Sequence, residues 1–314
     1  MNVEFARHVS EGLNSSPRWL SSRFIYDAVG SKLFEQIMHL PEYYLTRAEF
    51  SILERESGAI ADALPAWPSF DVIEFGAGDG TKTRLLLQEL LKSRQLRYVP
   101  IDISDQALLD IEVNMRQWLP ELELAPLHAE YFSGLESLRH SGRPKLVLFL
   151  GSNIGNFNQT QTLAFLRQMQ QALSPGDCLL AGFDLKKDPK RILAAYNDSQ
   201  GVTQAFNLNL LHRINRELGG QFIPSQFEFV PSYQPESGEM HAFLVSKQEQ
   251  KVYIEALEQH FHFPAWAAIH TEVSRKYDLA TIEALADDSG FGVSGHFFDA
   301  GHDFVDSLWA KADV

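Results

Sequence analysis

Cysteine is almost absent: Cys178 is the one cysteine in 314 residues. No disulfide can form within the chain, and a cysteine-built metal site is excluded. Cys178 sits in the apolar run Cys178-Leu179-Leu180-Ala181-Gly182-Phe183, where a buried, inert thiol is expected. Basic residues are also scarce, 27 Lys and Arg against 41 Asp and Glu, for a formal net charge of −14. That balance argues against nucleic acid, whose binding rests on many cationic contacts to phosphate, and against an anionic membrane surface. No apolar run approaches the roughly 20 residues of a membrane span. The stretch from Met1 to His8 lacks the apolar centre of a signal peptide, so the expected compartment is the cytoplasm. The eleven histidines show no H-x-x-x-H spacing with an acidic partner, and no metal is expected.

What is present is ordinary for a folded globular chain, with 45% hydrophobic and 22% charged residues. The length implies one large domain or two unequal ones. The chain is organised around Phe70-Asp71-Val72-Ile73-Glu74-Phe75-Gly76-Ala77-Gly78-Asp79-Gly80-Thr81-Lys82-Thr83. Val72, Ile73 and Phe75 read as a buried strand, and Leu85, Leu86, Leu87, Leu90 and Leu91 as the buried face of a helix. Between them Gly76, Gly78 and Gly80 alternate after an acidic strand end, so backbone amides and a helix start can approach a ligand. A dinucleotide fingerprint would place its third glycine at position 81, which is Thr81. The E-x-G-x-G-x-G pattern resembles motif I of the class I S-adenosylmethionine-dependent methyltransferases. A tight strand-to-helix turn with incidental glycines is the competing reading. Asp102, ending the next strand about 20 residues on, stands where a nucleoside ribose is held by its hydroxyls and moves the balance toward a nucleoside. Pro100 within that strand predicts an edge or a bulge.

Strands are expected at 70–75, 97–102, 146–150 and 178–183, with helices at 50–64, 81–93, 104–117 and 159–173. Ala125 to Phe132 reads as a further short strand and loop. This alternation implies a doubly wound parallel sheet with ligands at the strand carboxyl ends. Two strands at 293–298 and 304–309 after a helix at 279–289 give it a C-terminal antiparallel hairpin. Ser31 is the expected cap of a short helix at 31–38, and 40–47 a loop carrying Tyr43 and Tyr44. Residues 188–218 read as helical and 221–259 as β-rich. The predicted fold is therefore α/β, with a methyltransferase domain over 50–186 and 277–314. A second, α+β substrate domain is assigned to 1–49 and 187–276.

Three stretches carry a narrower resemblance. Phe24 to Glu35 with Leu40 to Arg47, Leu148 to Phe157, and Ile269 to Tyr277 resemble the histidine-specific Nα-methyltransferase family of the ergothioneine pathway. The likeness runs from about Arg18 to Trp309. It implies S-adenosylmethionine as cofactor and L-histidine as substrate, with successive methylation of the α-amine to trimethylhistidine (hercynine). Carried onto matching positions, it assigns Gly76, Lys82, Asp102 and the adenine-side pair Glu130-Tyr131 to the cofactor, with Tyr26 closing over it and Glu74, Gly78 and Gly80 completing motif I. Asn156 and Tyr196 would hold the substrate carboxylate and amine. Tyr43, Glu272 and Ser274 would read the imidazole, with Met240 against the ring and Tyr43 orienting the amine or relaying its proton. The family more often has Asp-Phe at 130–131 and Thr at Asn153.

Elementary chemistry agrees with that reading. A neutral imidazole offers one N–H and one lone pair, which a carboxylate and a hydroxyl can meet. In strand alternation Glu272 and Ser274 face the same way. An indole amino acid in the same fold, or a non-catalytic nucleoside-binding module, are the alternatives; an apolar ring would strand the polar groups of Glu272 and Tyr43. A monomer is expected.

Overall fold

The computed structural model describes residues 3–138 and 142–312. Met1 and Asn2 of the N-terminal stretch, and Asp313 and Val314 at the end of the expected methyltransferase domain, lie outside the described residues. The chain forms two compact units, Met1–Tyr44 with Lys187–Ser274, and Leu45–Lys186 with Arg275–Val314.

Elements are numbered in chain order. The first segment carries helix α1 (Val3–Asn14), the two-residue strand β1 (Arg18–Trp19) and helix α2 (Ala28–Met38). Helix α1 was not expected from the sequence; Phe5, Val9 and Leu13, spaced by one turn, form its buried face. Helix α2 starts three residues before the expected Ser31. Its cap is Asp27, whose carboxylate accepts from Val29 N and Gly30 N. Gly30 belongs inside the helix because a side chain there would collide with Ile25 O.

The next segment alternates α3 (Leu45–Ala63), β2 (Ser69–Phe75), α4 (Thr83–Leu91), β3 (Gln95–Asp102), α5 (Asp105–Trp118), the short β4 (Glu123–Leu124) and β5 (Leu127–His128), α6 (Tyr131–Leu138), β6 (Lys145–Phe149), α7 (Gln159–Ala172) and β7 (Cys178–Asp184). Helix α3 begins at Leu45, five residues earlier than expected, so Leu45, Thr46 and Arg47 are helical and not loop. Tyr131 and Phe132 open a helix where a strand and loop were expected.

There follow α8 (Pro189–Ala195), α9 (Val202–Leu218), β8 (Phe227–Gln234), β9 (Glu239–Ser246), β10 (Gln250–Ile254), β11 (Gln259–Phe263) and β12 (Ala268–Arg275). The continuous helix expected over 188–218 is broken at 196–201. Asp198 accepts from the backbone amides of Gln200, Val202 and Thr203, and Gly201 takes φ 73°, so a new helix start competes with continuation. Helix α10 (Leu279–Asp288) and strands β13 (Phe291–Phe298) and β14 (Phe304–Lys311) end the chain.

In the second unit the sheet order is β13-β14-β7-β6-β2-β3-β4, with β5 also pairing β3. Strands β7, β6, β2 and β3 run parallel, and β14 lies antiparallel between β13 and β7. Alternate residues feed two cores. Ile73, Phe75, Val147 and Phe149 pack with Phe165, Leu166 and Met169 of α7 on one face. Phe70, Val72, Leu146 and Leu148 pack with Leu53, Leu86, Leu90 and Met115 on the other. Both faces being covered by helices is what makes the strands apolar throughout. Pro100 fits because β4 pairs Arg97–Tyr98 and β5 pairs Ile101–Asp102, leaving 99–100 unpaired on that side, where a missing N–H costs nothing. Cys178 is 1% exposed, and burial pushes its thiol up to about 12.

The first unit is a sheet ordered β1-β12-β9-β8, with β1 parallel to β12, and a β10–β11 hairpin. Helix α9 turns Phe206, Leu210, Leu211, Ile214 and Leu218 inward.

Candidate active site

In the second unit the turn after β2 is built from backbone geometry. Gly76, Gly78 and Gly80 take φ of 67°, 57° and 75°, the left-handed region that only glycine enters cheaply. Their surroundings differ. A Cβ on Gly80 would come within 2.5 Å of Met115 Cε and 2.9 Å of Ile111 Cγ1, so this glycine also lets α5 close on the turn. A Cβ on Gly78 would meet nothing within 4 Å. One on Gly76 would lie 3.1 Å from Tyr131 Oη and 3.4 Å from Asn153 Nδ2, which puts those two polar groups beside the turn. Asp79 fixes the turn from within, accepting from Thr81 N at 2.9 Å and Thr81 Oγ1 at 2.7 Å.

Asp102 ends β3 beside this turn, where Gly76 N donates to Ile101 O. It accepts from Ser104 N at 2.9 Å, and burial holds its carboxyl above the usual range. Tyr131 sets its ring edge-on to Phe75 and Phe149, at 5.8 and 5.4 Å between centroids, and burial raises its phenol, which keeps the hydroxyl protonated. Glu130, one residue earlier, is exposed. Glu74 behaves otherwise. Its side chain is 2% exposed, with Thr83 Oγ1 donating to it at 2.7 Å and Tyr98 Oη donating to the other oxygen. Those bonds tie β2 to the start of α4 and to β3, and burial pushes its carboxyl up to about 7. Lys82, at the head of α4, pairs its ammonium with Glu49 of α3.

The loop after β6 is held at several points. Gly151 N donates to Glu49 Oε1 at 2.6 Å, Asp184 N to Ser152 Oγ at 3.0 Å, and Tyr277 Oη to Ile154 O at 3.4 Å. Asn156 closes the short 3-10 turn Asn153–Asn156 with its side chain exposed.

The first unit holds a small pocket of about 220 Å³, lined by Tyr196, Met240, Glu272 and Ser274 together with Thr203, Asn207, Phe229, Pro231, His241 and Ala242. Four expected substrate residues, from the end of α8 and from β9 and β12, are thus brought together. Tyr196 Oη and Ser274 Oγ share a hydrogen bond of 2.8 Å, and the Tyr43 ring stands edge-on to that of Tyr196, 6.2 Å away. Tyr26 packs its ring on Phe34 and Phe206 and does not line the pocket. Sequence reasoning missed Asn207. It lies on the inward face of α9, accepting from Thr271 Oγ1 at 2.8 Å and donating to Thr203 O at 3.1 Å, so it fastens α9 to β12 at the pocket wall. An amide at a buried helical position was the signal available.

The family described as "Histidine-specific methyltransferase, SAM-dependent" matches residues 5–311. The chain belongs to this family. Among this methyltransferase's relatives, a "Histidine N-alpha-methyltransferase" of Mycolicibacterium smegmatis is 36% identical over 303 residues, 96% of this chain and 93% of that protein. One of the same name from Mycobacterium tuberculosis is 36% identical over 311 residues, covering 99% and 96%. An "Ergothioneine biosynthesis protein 1" of Neurospora crassa is 32% identical over 284 residues, 87% of this chain but 31% of that longer protein.

The family's cofactor is S-adenosylmethionine, and the donor set fits it. A nucleoside with an amino-acid tail asks for a carboxylate toward its vicinal hydroxyls, a cation toward its own carboxylate, and backbone free of side chains along its length. Asp102, Lys82 and the three left-handed glycines supply these types within one unit. Glu74 supplies none of them directly, because both its oxygens are taken inside the fold.

Proposed function

We propose that this enzyme methylates the α-amine of L-histidine successively to the trimethyl product, hercynine, the first step of ergothioneine biosynthesis. The observation that carries this reading is the convergence of Glu272, Ser274, Tyr196 and Met240 on one small pocket, in a chain of the histidine-specific family.

S-adenosylmethionine, when bound, supplies an electrophilic methyl group on its sulfonium. We assign its ribose hydroxyls to Asp102, its carboxylate to Lys82, and its adenine to Glu130 and Tyr131, with Tyr26 closing over it. Gly76, Gly78 and Gly80 keep side chains out of its path. On the acceptor side Glu272 accepts from an imidazole N–H, Ser274 and Tyr43 serve the other ring nitrogen, and Met240 packs on the ring. Tyr196 and Asn156 hold the carboxylate and amine. The amine attacks only when its lone pair is free, so the chain must favour the neutral form, and desolvation does so by lowering an ammonium pKa. Each attack therefore requires that the nitrogen first lose a proton, from the ammonium, the monomethyl and the dimethyl ammonium in turn, while the quaternary product has none to lose; Tyr43 is the group assigned to orient the amine or pass that proton on. Holding the nitrogen in line is the chain's chief contribution to rate. Net charge −14 supports a small-molecule acceptor and not a nucleic acid. We place the enzyme in the cytoplasm as a monomer; among the described residues no helix is long and apolar enough to cross a membrane.

The test is titration of the protein with L-histidine, with and without S-adenosylhomocysteine, followed by mass detection after S-adenosylmethionine is added. Histidine binding and a product gaining three methyl groups are expected. Cofactor binding without histidine binding would overturn the acceptor assignment while leaving the donor site standing.

A further inference from the structure

Glu49 is 1% exposed on α3, and its two oxygens go to different places. One accepts from Gly151 N at 2.6 Å, at the start of the loop after β6; the other pairs with the ammonium of Lys82, just past the glycine turn. Gly182 of β7 leaves the room for this: a Cβ there would run into Glu49 Oε1 and come within 3.2 Å of Asp306 Oδ1. Three carboxyl groups face Lys82, from Glu49 on α3, Glu74 on β2 and Asp306 on β14. Glu74 is engaged by Thr83 and Tyr98. Asp306 is fully buried, and neither of its oxygens has a hydrogen-bond partner among the described residues. Burial and the Glu49 charge push its carboxyl well up, and of the three carboxyl groups it is Glu49 that pairs directly with the Lys82 ammonium.

A buried charge pair is a costly way to attach a helix, since apolar side chains of similar volume hold as well or better. The cost is explained if the ammonium itself is needed in a fixed place and always charged. We propose that Glu49 is a positioning residue for the methyl donor, holding the Lys82 ammonium and the Gly151 amide from one carboxylate. Helix α3 thereby sets the glycine turn and the loop after β6 against each other. This rests on the reading that Lys82 meets the donor's carboxylate. Burial alone would lower the lysine pKa, and the facing carboxylates more than offset it.

Glu49→Gln separates the two arms. Its amide oxygen still accepts from Gly151 N, but Lys82 loses its anionic partner. Titrating full-length protein with S-adenosylhomocysteine, we expect about tenfold weaker affinity near pH 7. The ratio to wild type should widen further toward about pH 9, as the unsupported lysine gives up its proton. Using the ratio cancels the ligand's own titration, and a merely structural defect would not make it pH-dependent. Glu49→Asp keeps the charge on a shorter arm; it should weaken binding with a constant ratio across that range. Lys82→Met probes the parent reading separately, and unchanged affinity there would remove Lys82 from the donor site altogether. Weak binding in Lys82→Met beside wild-type affinity in Glu49→Gln or, should that variant not fold, in Glu49→Asp would overturn the positioning role alone.

Discussion

The turn assigned to the donor and the pocket assigned to the acceptor are built in opposite ways. In the second unit the turn is a property of backbone: three left-handed glycines within five residues, between one strand and one helix. Its carboxyl groups are packed behind it, with Glu49, Glu74 and Asp306 each 2% exposed or less. In the first unit the pocket is made of side chains from elements far apart in the chain, Tyr196 at the end of α8, Asn207 on α9, Met240 on β9 and Glu272 and Ser274 on β12. A ligand shared by a large family can be met by a local turn. The group that distinguishes one acceptor from another has to be read by chemistry gathered from several places, and in the proposed reading that task falls to the Glu272 carboxylate.

Substitutions can break this contrast. The largest effect is expected for Gly80→Ala, where the left-handed backbone and the collision with Met115 and Ile111 combine; a loss of about 4 kcal/mol in chemical denaturation is expected. Glu272→Ala should weaken L-histidine about a hundredfold, roughly 3 kcal/mol, with S-adenosylhomocysteine affinity nearly unchanged by titration calorimetry. Equal loss of both ligands would mean that the two sites are not separable. Glu74 gives a pH signature. Its carboxyl, held at about 7 in the fold, keeps a proton that the unfolded chain has given up. Its stabilising contribution is therefore full below the usual carboxylate range and disappears as pH rises through about 7. Wild-type stability should fall by roughly 2 kcal/mol between about pH 5 and about pH 8 on this account, and Glu74→Gln should flatten that slope. The smallest effect belongs to Gly78→Ala, where only the backbone is strained and nothing is struck; about 1 kcal/mol is expected. A Gly78 cost equal to that of Gly80 would show that backbone strain, and not the closing of α5, governs the turn.

The same contrast decides what was legible in the sequence. The glycine turn, Asp102 and the apolar strands were visible because their signals are contiguous and periodic. The break between α8 and α9 was hidden because Asp198 and Gly201 stop a run whose apolar spacing continues. Glu74 was legible as a motif residue but not as a buried one, since its partners Thr83 and Tyr98 are chosen by packing. Glu49 and Asp306 carried no local signal at all: an acid on a helix and an acid in a strand come close only where Gly182 leaves room for both. The pocket residues of the first unit were reached by resemblance, and Asn207 and Thr271, which brace them, were reached only through the structure.

Strand β14 has a consequence for how the molecule is made. It is the last of the described strands, yet it lies inside its sheet, antiparallel between β13 and β7. During synthesis β7 must wait, with one edge unpaired, while the later segment of the other unit emerges before its neighbour arrives. Until then the core that Val305 and Trp309 complete on one face of the sheet, and the core that Leu308 completes on the other, stay open to water. The nascent protein therefore has its glycine turn before it has a finished sheet, and that sheet stays open to misassembly until β14 is made.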